Sequence, residues 1–142
     1  MSSDAIRETI ATKLVATFPL AAPTVKLFFE NQDFAQPTNQ TAWAYCTIQD
    51  SRTGRCEISN AGRYETLGVV NIQIMTPEGT GTKLIRTVCD KLSLILTDKQ
   101  FPLIGETGSV TFYGYQKRNR GSLNGWYTWN AIWEYRAFST TP

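Results

Sequence analysis

The chain has 142 residues, 42% of them hydrophobic, 12% aromatic and 18% charged, the balance of one globular domain and not of a disordered chain. Its formal charge of +2 is too small to argue for a nucleic-acid partner without a local patch. Histidine is absent, which removes Ser-His-Asp and Cys-His nucleophile pairs, histidine general bases and the commonest zinc sites together.

No run reaches the roughly 18 apolar residues of a membrane span, and the carboxylate-bearing "MSSDAIRETI" lacks the order of a signal peptide. We therefore expect a protein made and kept in a cytoplasm. Cys46, Cys56 and Cys89 form no CxxC pair, and an odd count argues against a disulfide framework. Cys46 and Cys89 read as small core residues.

In chain order, Ile6, Ile10, Leu14 and Phe18 recur at helical spacing, with Ala11 and Val15 widening the stripe. Cap chemistry at Ser2, Ser3 and Asp4, and Pro19 as a stop, predict a first helix over about residues 4–18. "TVKLFF" alternates as a short strand, and "ENQDFAQPTNQ" follows as a polar link anchored only by Phe34. "TAWAYCTIQ" predicts a strand with both faces partly covered. "DSRTGRCEISNAGR", residues 50–63, has no periodicity and predicts a long loop, a kind that is usually functional or mobile. "YETLGVVNIQIM" is the next strand.

"TPEGTGTKLI" then tests for a phosphate loop. A P-loop needs GxxxxGK[ST], but Gly79 and Gly81 stand two apart and Leu84 follows Lys83 where the hydroxyl should be. Leu84 also fills the third glycine position of GxGxxG. The stretch is a strand-to-helix corner, with Pro77 and Gly79 turning and Thr80 or Thr82 capping. Leu84, Ile85, Val88, Leu92, Ile95 and Leu96 predict a second helix over about residues 80–97. "TDKQFPLIGETG" closes it. "SVTFYGYQ" and "WYTWNAIWEYRAF" predict two final strands, joined by "KRNRGSLNG" with its Asn124-Gly125 turn signal. Helix, strands, helix, strands predict a single α+β domain over residues 1–142, with both helices on one face of a mainly antiparallel sheet.

Tyr127, Trp129, Ala131, Trp133 and Tyr135 share one face of the last strand. Trp43, Trp126, Trp129 and Trp133 thus read as packing or interface aromatics. The other reading stacks bases on them while Lys117, Arg118 and Arg120 hold phosphates. Glu57, Glu65, Glu78 and Glu106 have no evident partner and read as solvated surface. No catalytic, cofactor or metal residues are expected.

The order of these pieces resembles the tail terminator proteins of long-tailed phages, the group related to the lambda tail-completion (minor tail protein U) family. The resemblance covers nearly the whole chain, and its most specific part is the strand–"TPEGTGT"–helix block from Leu67 to about Leu96. It implies a non-enzymatic virion subunit that forms a hexameric ring on the head-proximal end of the tail tube. Such a ring stops tube polymerisation, joins the tail to the neck of the capsid, and lets DNA pass through its lumen without specific binding. The expected partners are further copies of the chain, the tail tube protein and a head–tail connector. Candidates for the assembly loop are Arg52, Arg55, Glu57 and Arg63, with Lys117, Arg118 and Arg120 beyond it. The alternative is another head–tail connector or a single-strand nucleic-acid binder.

Overall fold

A computed structural model describes residues 2–22, 25–30, 42–55, 63–77, 79, 82–105, 107–123 and 125–139. The elements run α1 (Ser2–Ala21), β1 (Lys26–Phe29), β2 (Trp43–Arg55), β3 (Tyr64–Pro77), α2 (Lys83–Leu96), β4 (Gln100–Pro102), β5 (Gly108–Leu123) and β6 (Trp126–Ser139). The strands form one sheet in the order β1-β2-β3-β6-β5-β4. Every pairing is antiparallel except β1 with β2. The α+β class is as expected; the parallel edge strand makes the sheet mixed.

Register explains which residues are covered. Rows such as Ile48–Val70–Trp133 and Cys46–Ile72–Ala131 run across the strands on one face. Both helices lay their buried stripes against that face, Ile6, Ile10, Leu14 and Phe18 from α1 and Ile85, Val88, Cys89, Leu92 and Leu96 from α2. The alternate rows, such as Thr47–Asn71–Ile132–Gln116 and Tyr45–Gln73–Asn130–Arg118, occupy the helix-free face. These rows are rich in amides and hydroxyls, which suits a face without helices.

Several expectations need correction. Pro19 does not end α1, which continues to Ala21, with the Ala22 N–H donating to the Phe18 carbonyl at 2.8 Å. Proline removes only the bond to the Val15 carbonyl, and Val15 is exposed, so water can take that place. Val15 is therefore not part of the buried stripe. α2 begins at Lys83, and Thr82 holds its N-cap position without a side-chain cap hydrogen bond. Gly79 turns the corner at φ 84°, a left-handed conformation that glycine adopts without strain.

Two of the predicted links contribute strand instead. Of the loop expected over residues 50–63, Asp50 to Arg55 extend β2 and pair up to Arg55 with Tyr64, past a bulge between Asp50 and Arg52. Polar side chains hide this segment from an alternation test, yet a backbone ladder and pairs such as Thr53 Oγ1 with Thr66 Oγ1 (3.0 Å) hold it. Residues 56–62, with Cys56 and Glu57, lie outside the described residues, as do Phe34, Thr80, Glu78 and Glu106. Likewise "KRNRGSL" continues β5, which pairs up to Leu123 with Trp126; Gly125 holds φ 84°, and Asn124 lies outside the described residues. β4 is an element the sequence reading missed.

Candidate assembly surface

The aromatic residues fall into two groups. Trp133 and Tyr135 are fully buried. The Trp133 Nε1–H donates to Thr97 Oγ1 at 3.0 Å, and its ring lies 5.0 Å from that of Tyr115. Trp133 is thus a core residue with no surface to offer a partner or a base. Trp129 is half-buried on the same face, beneath the Lys117 ammonium at 5.5 Å. Trp43 and Trp126 instead meet edge to face on the helix-free side, ring centroids 6.1 Å apart, and Phe28 meets Trp43 in the same manner.

The basic candidates divide by position. Arg52 is exposed in the far half of β2, opposite Leu67. Arg55 ends that strand. Arg63 is exposed, its guanidinium 5.4 Å from the Phe138 ring centroid. Lys117 bonds Asp90 of α2 at 3.3 Å, Arg118 reaches Gln116 Oε1 at 3.4 Å, and Arg120 is exposed. Register puts Lys117 level with Cys46 and Gly108 level with Arg55. The Arg52–Arg63 group and the Lys117–Arg120 group therefore lie toward opposite ends of the sheet and form no common patch. Glu65, expected as free surface, instead pairs with Arg136 at 3.3 Å.

Sequence reasoning missed an ion pair at the sheet edge. Arg7 of α1 places both terminal nitrogens 2.8 Å from Glu30 Oε1. The same two side chains bond the backbone of Ile48: Arg7 Nη2 donates to its carbonyl at 2.6 Å, and its N–H donates to Glu30 Oε1 at 3.2 Å. They occupy the place that the next residue pair of β1 would take, so side chains close a strand edge where the strand has ended. Beside this plug lies an open depression of about 580 Å³, reaching Asp50, Ser51 and Val69. Asp50 also accepts the Tyr135 hydroxyl proton. Nothing in the spacing of Arg7, Glu30 and Ile48 announces this; only the parallel β1–β2 pairing brings them together.

Titrating groups here serve packing. Burial, reinforced by the Glu30 carboxylate, pushes the Cys46 thiol up to about 12. Burial pushes Cys89 up to about 11 against the pull of Lys117. Tyr135 is raised by burial and by its bond to Asp50. Thiols held this far above neutrality are poor nucleophiles. Among the described residues no group of three or more Cys, Asp or Glu side chains could hold a metal ion, and no helix is long and apolar enough to cross a membrane.

No family model matches the chain, and no curated protein matches it either. Solved structures do. One, which carries no functional name, superposes with a TM-score of 0.75 at 16% identity, covering 96% of each chain. Another, from the virion of a native gene transfer agent particle, superposes with a TM-score of 0.60 at 11% identity, again over 96% of each chain. At these identities the shared property is the fold, and it is shared from end to end.

Proposed function

We propose that the chain is a structural virion subunit, a tail-terminator-like protein that forms a ring on the head-proximal end of a tail tube. The observation that carries this is the likeness to a chain of a gene transfer agent virion over 96% of each chain. The fold of a small virion subunit and the terminator-like order of elements in the sequence point the same way. On this reading the protein is not an enzyme. Its partners are further copies of itself, the tube protein and a neck protein, and DNA passes through the ring without specific contacts. The hexamer is the stoichiometry that the resemblance implies.

The test is direct. Purified protein is mixed with its tube protein and imaged by negative stain, with mass measured in parallel. Rings of six copies seated on one end of tubes, and tubes of limited length, are expected. Tubes that grow unchanged and uncapped in its presence would reject the proposal. The nucleic-acid alternative makes the opposite forecast, a salt-dependent affinity for single strands that Lys117, Arg118 and Arg120 carry.

A further inference from the structure

The two open edges of the sheet are stepped in a matching way. β1 pairs only with Trp43 to Cys46, the first part of β2. Past the plug at Ile48, no described residue bonds the outer side of Gln49 to Arg55. At the opposite edge β4 pairs only with Ser109 to Thr111, and Phe112 bonds Asp98 and Lys99. From Gly114 to Leu123 the outer side of β5 has no described strand partner. Through Tyr64 and Ser139, Arg55 lies level with Gly108; through Met75 and Thr128, Trp43 lies level with Gly121. The short strands β1 and β4 therefore sit at diagonally opposite corners, and each leaves a half-lane beside it that no described strand fills.

We propose that these half-lanes fit each other: the free half of β5 in one copy adds to the free half of β2 in the next. This rests on the ring reading above and names the contact that builds the ring. The strands would run antiparallel, because β5 opposes β2 within each sheet. The incoming strand would stack end to end on β1, with its end over the depression beside Arg7, Glu30 and Asp50. One edge meeting a different edge is a heterologous contact, the kind that closes into rings.

Geometry supports closure. Bringing Gly114 level with Arg55, where Gly108 now stands, shifts each copy by six residues, or about 20 Å along the strands. Each copy adds four full lanes, β2, β3, β6 and β5, about 19 Å across at the usual strand spacing. A ring whose copies sit at one height then needs strands tilted by about 45°, at the upper end of the tilt found in closed barrels. Unshifted copies could not pair, because β1 and β4 would collide with the neighbouring sheet. Both half-lanes carry arginines, Arg52 on one and Arg118 and Arg120 on the other. Asp50 is the acidic residue that β2 offers them, so pairing should strengthen with salt, opposite to a contact driven by charge attraction.

Cross-linking tests this. Gln49 and Ser122 are exposed on the two half-lanes. In a Cys56→Ser background, Gln49→Cys with Ser122→Cys is assembled with and without tube protein and treated with a short bis-maleimide. The expected result is a covalent ladder ending at the mass of the full ring, absent from either single variant and from a Lys91→Cys control on α2. Rings of full mass without that ladder overturn the edge pairing and leave the terminator reading standing. A closed ladder with tubes left uncapped supports the edge pairing and overturns the terminator reading. A chain that stays monomeric with tube protein present, and does not cross-link, overturns both.

Discussion

The β2–β3 and β5–β6 hairpins are built alike at one level and differently at another. Where they lie under the helices, their inward rows are Ala44, Cys46, Ile48, Val70, Ile72, Ala131 and Trp133, all buried. On their outer strands the same hairpins carry Arg52, Thr53, Gly54 and Gln116, Lys117, Arg118, all exposed, with Thr53 bonded to Thr66 and Lys117 to Asp90 of α2. The ladder continues in both halves. Burial thus dominates the stability of one part, while the backbone ladder with a few side-chain pairs, such as Thr53–Thr66 and Lys117–Asp90, holds the other.

The comparison breaks first at Trp133. Truncating a fully buried Trp costs about 3–5 kcal/mol, and Trp133→Ala also removes the Nε1–H bond to Thr97 Oγ1. The variant should be insoluble or unfolded by circular dichroism. A folded Trp133→Ala protein of near-native denaturation midpoint would show that the core half is not the stable half.

Alkali attacks the same half. Cys46 has its folded pKa raised from 9.0 to about 12, and Cys89, Tyr115 and Tyr135 are raised as well. A raised pKa means the folded state holds its proton longer than the unfolded chain does. The stabilisation is therefore intact below about pH 9 and is lost as pH climbs from there toward 12. For the fully buried Cys46 alone this is on the order of 3 kcal/mol at pH 11. Unfolding free energies at pH 8 and 11 should differ by an amount of that order, and Cys46→Ala should reduce the difference. Equal values would mean the thiol is solvated.

Gly68 tests the seam between the halves. A Cβ there would stand 2.4 Å from the Gln49 carbonyl oxygen and 2.4 Å from the Tyr135 ring. The first is backbone and cannot yield, so Gly68→Ala should cost about 1–3 kcal/mol and loosen the Tyr135–Asp50 bond. Near-UV circular dichroism and chemical denaturation would report both; an unaltered midpoint would show that the seam is soft.

How much of this was legible follows the same line. The helical stripes from Ile6 to Phe18 and from Ile85 to Leu96, the buried cysteines and the inward face of β6 were readable, because burial writes a period into the sequence. The far half of β2, the "KRNRGSL" part of β5 and the three residues of β4 were not, because polar strands held by backbone ladders carry no apolar period. The Arg7–Glu30 plug and the close approach at Gly68 depend on register, which no single stretch encodes. The candidate assembly residues were found as a set of charges, but their separation to opposite ends of the sheet came only from the pairing of strands.

The smallest effect is expected at Lys117, and its smallness is the informative part. Its ammonium is 3.3 Å from Asp90, with side-chain exposures of 34% and 67%, and it lies over the Trp129 ring at 5.5 Å. An exposed pair of this kind contributes about 0.2–1 kcal/mol and is screened by salt, and an exposed cation–π contact adds about 0.5–1 kcal/mol. These overlap, since one ammonium makes both, so Lys117→Gln should cost about 1 kcal/mol at most in low salt and less in high salt. Tyr115 still ties this part of β5 to α2 through its hydroxyl bond to the Cys89 carbonyl, 3.3 Å, so β5 should remain docked. The measurement is urea denaturation of both proteins at low and high ionic strength, read by tryptophan fluorescence. A loss above about 2 kcal/mol exceeds anything a solvated pair supplies and would place this end of β5 inside the cooperative core, erasing the division between the two halves.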